Sequence, residues 1–195
     1  MISFTLWDIV RHLLMGAGWT ILLSAIAFVL GGGMGLLVLF VRISPKAPFQ
    51  ALAKTYIEFF QDTPLLMQFF LIFFGLALFG VDISPLAAAT LGLTFFTSAY
   101  LAEIWRGCVE ALPKGQWEAS ACLAMTRYEQ LRYVILPQAL RIAIPPTVGF
   151  SVQVVKGTAV ASIIGFVEIT KTLTILANAI LKPLMVCGVG GVEYV

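Results

Sequence analysis

The sequence predicts an all-α, polytopic membrane protein: one transmembrane domain over residues 1–195, with four full spans and an incomplete fifth. Three observations carry this. The composition is 60% hydrophobic and 11% charged, with a mean hydropathy of +0.98, whereas soluble domains hold about 45–50% apolar and about 25% charged residues. Four stretches are apolar enough and long enough to cross about 30 Å of hydrocarbon as helices. The Lys and Arg residues gather in two of the connectors.

This composition excludes an ordinary soluble enzyme, a disordered chain and a nucleic-acid binder. The formal charge of +2 is too small to imply an anionic partner. Cys108, Cys122 and Cys187 form no C-x-x-C pair and leave an odd count, so no disulfide framework is expected. A lone His12 cannot supply a histidine-based metal or haem site. No G-x-x-x-x-G-K-[ST] is present, so no P-loop ATP hydrolysis is expected of the chain itself. No cofactor and no metal follow from these residues. No signal peptide is evident either, because Asp8 interrupts the start and the apolar run after it is too long for an h-region.

The first span is expected over residues 13–41. Its Gly31 and Gly35 lie one turn apart, a spacing that lets two helix backbones approach closely. That contact is either internal to one subunit or a dimer seam. Residues 42–54 form a basic, Pro-containing connector. The second span, residues 55–81, carries Glu58 and Asp62 near its start and has its clean apolar core over 63–81. A turn at Asp82 leads into the third span, residues 83–112. Pro113, Lys114 and Gly115 end it, since Pro cannot continue a helix and Gly relieves the backbone.

Residues 117–136 are polar and amphipathic, and the segment is expected to be bounded by Pro113 and Pro137. Tyr128, Leu131, Val134 and Ile135 share one helical face, with Arg127, Glu129, Gln130 and Arg132 on the others. By composition this is a helix lying on lipid headgroups. The fourth span, residues 139–166, is expected to be broken by Pro145 and Pro146 and to carry Lys156. The tail, residues 183–195, offers only ten uncharged residues before Glu193, too few to span.

The connectors after spans one and three hold Arg42, Lys46, Lys54, Arg106, Lys114, Arg127, Arg132 and Arg141, and that between spans two and three holds no Lys or Arg. The positive-inside rule places the two basic connectors in the cytoplasm, with the N-terminus and the Asp82 turn outside. A charge at mid-membrane costs about 2.5–3.5 kcal/mol, so it is usually kept for function or sits near a helix end. Gln153-x-x-Lys156-Gly157-Thr158, followed by Glu168, therefore stands out. Lys156 either meets substrate or snorkels from the outer end of its helix.

At Pro113-Lys-Gly-Gln-Trp-Glu118-Ala-Ser120 the sequence closely resembles the EAA loop of binding-protein-dependent ABC importer permeases, in which E-A-A is followed by a Gly and then I-x-L-P. Ile135-Leu136-Pro137 nearly fits the last element. Asp62-Thr-Pro-Leu-Leu-Met-Gln68, Ser98-Ala-Tyr-Leu-Ala-Glu-Ile-Trp-Arg-Gly107 and Leu136-Pro-Gln-Ala-Leu-Arg-Ile-Ala-Ile-Pro-Pro146 are similar to the polar amino-acid subfamily. Together they cover roughly residues 13–183.

The resemblance implies a type I ABC importer permease-like helix bundle, a multi-pass subunit of the bacterial inner (plasma) membrane. It would move a polar amino acid inward by alternating access. Its implied partners are an ABC ATPase dimer, a second permease (identical or homologous), and a periplasmic or lipid-anchored solute-binding protein. The cytoplasmic loop, residues 113–137, would dock on the ATPase through Glu118, Ala119, Ser120, Ala124, Met125 and Arg127. Gln68, Gln153, Lys156, Thr158 and Glu168 are the expected pathway residues.

Four departures qualify the match. Ala124 stands where the family has a loop Gly; a positive φ there is strained, and without it the loop is one continuous helix. Gln61 and Asp62 replace an Arg and a small residue. Gly157 stands where an acid or Asn commonly follows the Lys. The chain stops at Val195, where the family has a full last span, so the expectation is a truncated or incomplete final helix. A self-contained channel or secondary carrier and a non-transporting permease remnant are the competing readings. The carrier would need inverted repeats, and the two halves share neither the Gly cluster nor the EAA-like loop.

Overall fold

The computed structural model describes residues 6–44, 46–165, 171, 172, 174 and 175. The tail at 183–195, the end of the fourth span at 166 and Glu168 lie outside the described residues. Helix α1 is Leu6–Arg42, α2 is Ala47–Asp62, α3 is Leu65–Leu78, α4 is Pro85–Glu110, α5 is Lys114–Cys122 and α6 is Arg127–Ile164. No strand occurs among the described residues. Three helices are long and apolar enough to cross a membrane, and the α2–α3 pair makes a fourth if it counts as one broken span.

Local sequence accounts for most boundaries. Ser84 Oγ accepts from Ala87 N at 3.2 Å, and Pro85 follows at the first helical position, so α4 starts on a capped turn. Pro48 lies in the first turn of α2, where its missing N–H costs nothing. Most of the expected connector at 42–54 is thus helix. On α2, Ala53 and Ile57 are buried while Lys54 and Glu58 pair at 3.4 Å on the exposed side.

The second apolar stretch is not one helix. Thr63 is extended (φ −90°, ψ 123°), as residues before proline tend to be, and Pro64 opens α3. Thr63 Oγ1 donates to Phe59 O at 2.7 Å, satisfying a carbonyl in the last turn of α2. Helix α3 is about 21 Å long at 1.5 Å per residue, short of the ~30 Å a span needs.

Two expectations about α6 are corrected. The helix is not broken at Pro145 and Pro146; the regular stretch Leu136–Thr158 runs straight through both. Nor does Pro137 end the amphipathic segment. A widened turn over Gln130–Ile135 precedes it, and the helix continues past the proline.

The described residues form two compact units. One contains 6–28, Pro64–Leu93 and the residues from 154 onward; the other contains Val29–Thr63 and Thr94–Gln153. In the first, Phe69 is fully buried and α3 packs on the end of α6, Ala159–Ile164. A Cβ on Gly157 would lie 3.1 Å from Leu65 and 3.2 Å from Leu93. A larger residue there would have to push the Leu65 and Leu93 methyl groups aside by a few tenths of an ångström.

In the second unit, α1 packs on α4 through its glycines. A Cβ on Gly31 would lie 2.6 Å from Thr97 Cβ, and one on Gly35 would lie 3.0 Å from Ser98 O. The glycine spacing thus serves contact within the subunit. Tyr56 and Ser98 hydroxyls meet at 2.6 Å, Phe60 stacks on Phe95, and Phe150 stacks on Phe96 and Tyr100. Trp105 Nε1 donates to Thr147 Oγ1 at 2.9 Å. Val109, Leu112, Ile135 and Ala139 make a buried cluster flanked by Trp117, Leu131 and Val134.

Candidate coupling hairpin and pathway residues

Between α5 and α6 the chain reverses over Leu123–Met125. Ala124 adopts φ 55°, the single non-glycine residue with positive φ among the described residues. The left-handed turn is therefore kept despite the side chain, and the segment is two helices rather than one. Ala124 N donates to Ala121 O at 2.9 Å, which closes the end of α5.

The start of α6 is held by a reciprocal cap. Thr126 Oγ1 accepts from Glu129 N at 3.4 Å, and Thr126 N donates to Glu129 Oε2 at 2.7 Å. Thr126 Oγ1 also donates to that carboxylate, at 2.8 Å. These bonds hold the Glu129 carboxyl below the usual carboxylate range, in the polar start of α6 ahead of its apolar stretch. Thr126-x-x-Glu129 is a capping-box pattern legible in the sequence, and it is a signal the sequence reading missed.

Across the hairpin, the Arg127 guanidinium lies 5.3 Å from the Trp117 ring centre, and Gln138 Nε2 donates to Gln116 Oε1 at 3.0 Å. Gln130, buried, donates to Met125 O at 3.0 Å. Of the expected contact residues, Glu118, Ala119, Ala124 and Arg127 are exposed and Met125 is half-buried. Ser120 is buried, with its hydroxyl on Trp117 O at 2.9 Å, so it braces α5 from within.

Tyr128 is a correction. It was expected on the face of Leu131 and Ile135, yet it is 73% exposed while Ile135 is fully buried. The widened turn at Gln130–Ile135 adds a residue and rotates the preceding positions by about 100°. Tyr128 and Leu123 therefore stand out beside Ala124 as exposed apolar side chains, which composition had not singled out.

The described pathway candidates differ in burial. Gln68 and Thr158 are buried, both in the first unit, and the Thr158 hydroxyl donates to Val155 O at 2.7 Å on its own helix. Lys156 and Gln153 are exposed. Near the end of α4, Arg106 is gripped by Glu103 and Glu110, with Nε on Glu103 at 2.9 Å. Among the described residues no three His, Cys, Asp or Glu side chains gather to hold a metal ion.

Among the described residues, helices long and apolar enough to cross a membrane are joined by a polar hairpin made of α5 and the start of α6. Residues 28–187 match the family described as binding-protein-dependent transport system inner membrane component, and the chain belongs to that family. It is similar to YckA of Bacillus subtilis, a probable amino-acid ABC transporter permease protein. The identity is 33% over 86% of this chain and 74% of the relative. It is 35% identical to TcyB of the same organism, an L-cystine transport system permease protein, over 80% of this chain and 69% of that one. The solved structure of an amino acid ABC transporter with histidines superposes with a TM-score of 0.89. Its identity is 31%, over 99% of this chain and 94% of that chain.

The chain is thus a non-enzymatic permease subunit of an ATP-driven importer, integral to the membrane. ATP hydrolysis falls to a separate subunit, and an ATPase and a binding protein are its partners. A self-contained channel or secondary carrier is set aside by this membership.

Proposed function

We propose that the chain imports a polar amino acid across a bacterial inner membrane, paired with a second permease (identical or homologous) and seated on an ATPase dimer. The named activities of YckA, TcyB and the solved transporter support the substrate class. The basic connectors face the cytoplasm, so the hairpin at 113–137 meets the ATPase and the solute-binding protein delivers from the other side.

One observation carries the coupling role: a left-handed turn at Ala124, followed by the Thr126–Glu129 cap, folds α5, with its exposed Glu118 and Ala119, back against the start of α6. Glu118, Ala119, Ala124, Met125 and Arg127 make the docking face, and Ser120 supports it from inside. ATP binding in the partner shifts the permease between states, because the chain has no energy source of its own. Gln68, Gln153, Lys156, Thr158 and Glu168 line the substrate's route.

The test is Glu118→Lys in the assembled importer. Charge reversal at a desolvated contact costs several kcal/mol. Substrate-stimulated ATP hydrolysis and uptake should both fall at least tenfold while the membrane-inserted level stays normal. Unchanged uptake returns the hairpin to the lipid headgroups.

A further inference from the structure

An apolar groove and an arginine pocket adjoin each other in the second unit, sharing Val109 as a common wall. The groove, about 400 Å³, runs between α1, α4 and α6, lined by Leu36, Leu39, Trp105 and one face of α6 from Leu136 to Val148. This volume falls in the ~300–1,000 Å³ range of small-ligand sites. The twelve residue steps from Leu136 to Val148 make that face about 18 Å long. Leu140, Ile144 and Val148 stay exposed along it, and the polar atoms of Trp105 and Thr147 bond each other.

The pocket, about 290 Å³, lies one helical turn past Leu39, where Arg42, Arg106 and Arg127 converge with Gln50. Arg106 is held by Glu103 and Glu110. Glu103 also acts on Arg42, so three arginines face two carboxylates and one positive charge remains. Arg42 Nε is buried and has no hydrogen-bond partner. Arg127 lies over Trp117 with its guanidinium open to the pocket's rim.

We infer that this pair of cavities holds one anionic phospholipid of the surrounding membrane, with an acyl chain along the groove and the phosphodiester between Arg42 and Arg127. The charge left over matches one phosphodiester, and basic pockets between membrane helices recognise headgroups in this way. An apolar face continuous with a cationic end fits a lipid and fits neither a free phosphate nor a purely apolar ligand. A lipid held there would touch α1, α4, α6 and, through Trp117, the coupling hairpin.

The experiment uses the full chain with its ATPase partner, in a neutral detergent. Phosphatidylglycerol brominated on its acyl chains is titrated in, and the Trp105 quench is read as the difference between wild type and Trp105→Phe. Half-quenching is expected at a concentration at least tenfold lower than for phosphatidylcholine brominated alike. The Arg42→Gln, Arg127→Gln double variant should erase that preference. If the double variant does not assemble, Arg42→Gln alone, outside the docking face, should weaken it at least threefold. Equal quenching by the two lipids, or a preference that survives these substitutions, overturns the site. So does displacement of the lipid by millimolar glycerophosphate, which would make it a phosphate site. Quenching seen only once the ATPase is stripped away would assign the pocket to that protein instead.

Discussion

Gly31 and Ala124 are two positions where a close packing or a backbone turn calls for glycine, and the chain keeps it at one and not at the other. At Gly31 the obstacle is a neighbour: Thr97 Cβ and Thr94 O crowd the space a side chain would fill. At Ala124 the obstacle is the residue's own backbone, and the side chain points into open surroundings. A left-handed φ costs an ordinary residue about 1–2 kcal/mol, and the hydrogen bonds of the adjacent cap offset that. No local bond can offset a Cβ placed only 2.6 Å from Thr97 Cβ on another helix. Steric demand from a packed partner is absolute, whereas intrinsic strain is negotiable.

The comparison can be broken most decisively at the seam. Gly31→Leu should destabilise the protein by about 3 kcal/mol or more, because overpacking a helix contact forces backbones apart. A thermal melt in detergent should show it, alongside Gly33→Leu as control. A Cβ on Gly33 meets nothing within 4 Å, so that variant should melt as wild type does. Equal effects at both sites would remove the seam from the explanation.

At the turn the same measurement should give smaller, signed changes. Ala124→Val should lower stability by more than about 1 kcal/mol, because a β-branched residue tolerates positive φ least. Ala124→Gly should raise it by about 1 kcal/mol. A loss with glycine would mean the methyl group packs favourably in the assembled protein.

Removing the cap sharpens the account of why Ala124 is tolerated. Thr126→Ala should cost about 1 kcal/mol and speed amide exchange at the start of α6. The smallest effect is titration of Glu129. Its carboxyl is held below the ordinary range by Thr126, so its contribution is present above about pH 4.3 and fades as pH falls through the lower, folded value. Protection of the first amides of α6 should therefore drop only on acidification, and Glu129→Gln should abolish that pH dependence.

The prolines show how much was legible. Pro64 and the pair Pro145 and Pro146 look alike as helix breakers, yet only Pro64 ends a helix. Around Pro145 and Pro146 the flanking turns are pinned: Thr147 accepts from Trp105, and Phe150 stacks on Phe96 and Tyr100. Thr63 instead takes the extended backbone that proline favours and bonds back to Phe59. The difference lies in neighbours many residues away, which a local rule cannot see. The exposed position of Tyr128 escaped for a related reason. A regular 3.6-residue period cannot anticipate the widened turn ahead of Pro137.

What the sequence determined by itself was whatever depends on composition and on residues close along the chain. That covers helices and not strands, membrane insertion, the Gly31–Gly35 spacing, the polar segment between Pro113 and Pro137, and the motifs that mark the family. Tertiary structure alone decided that the glycine seam is internal, that Gly157 packs tightly against Leu65 and Leu93, and that Ser120 turns inward while Tyr128 turns out. It also brought Arg42, Arg106 and Arg127, from three different helices, to the end of one apolar groove. Such contacts follow from how helix surfaces meet, and each depends on side chains far apart in the chain.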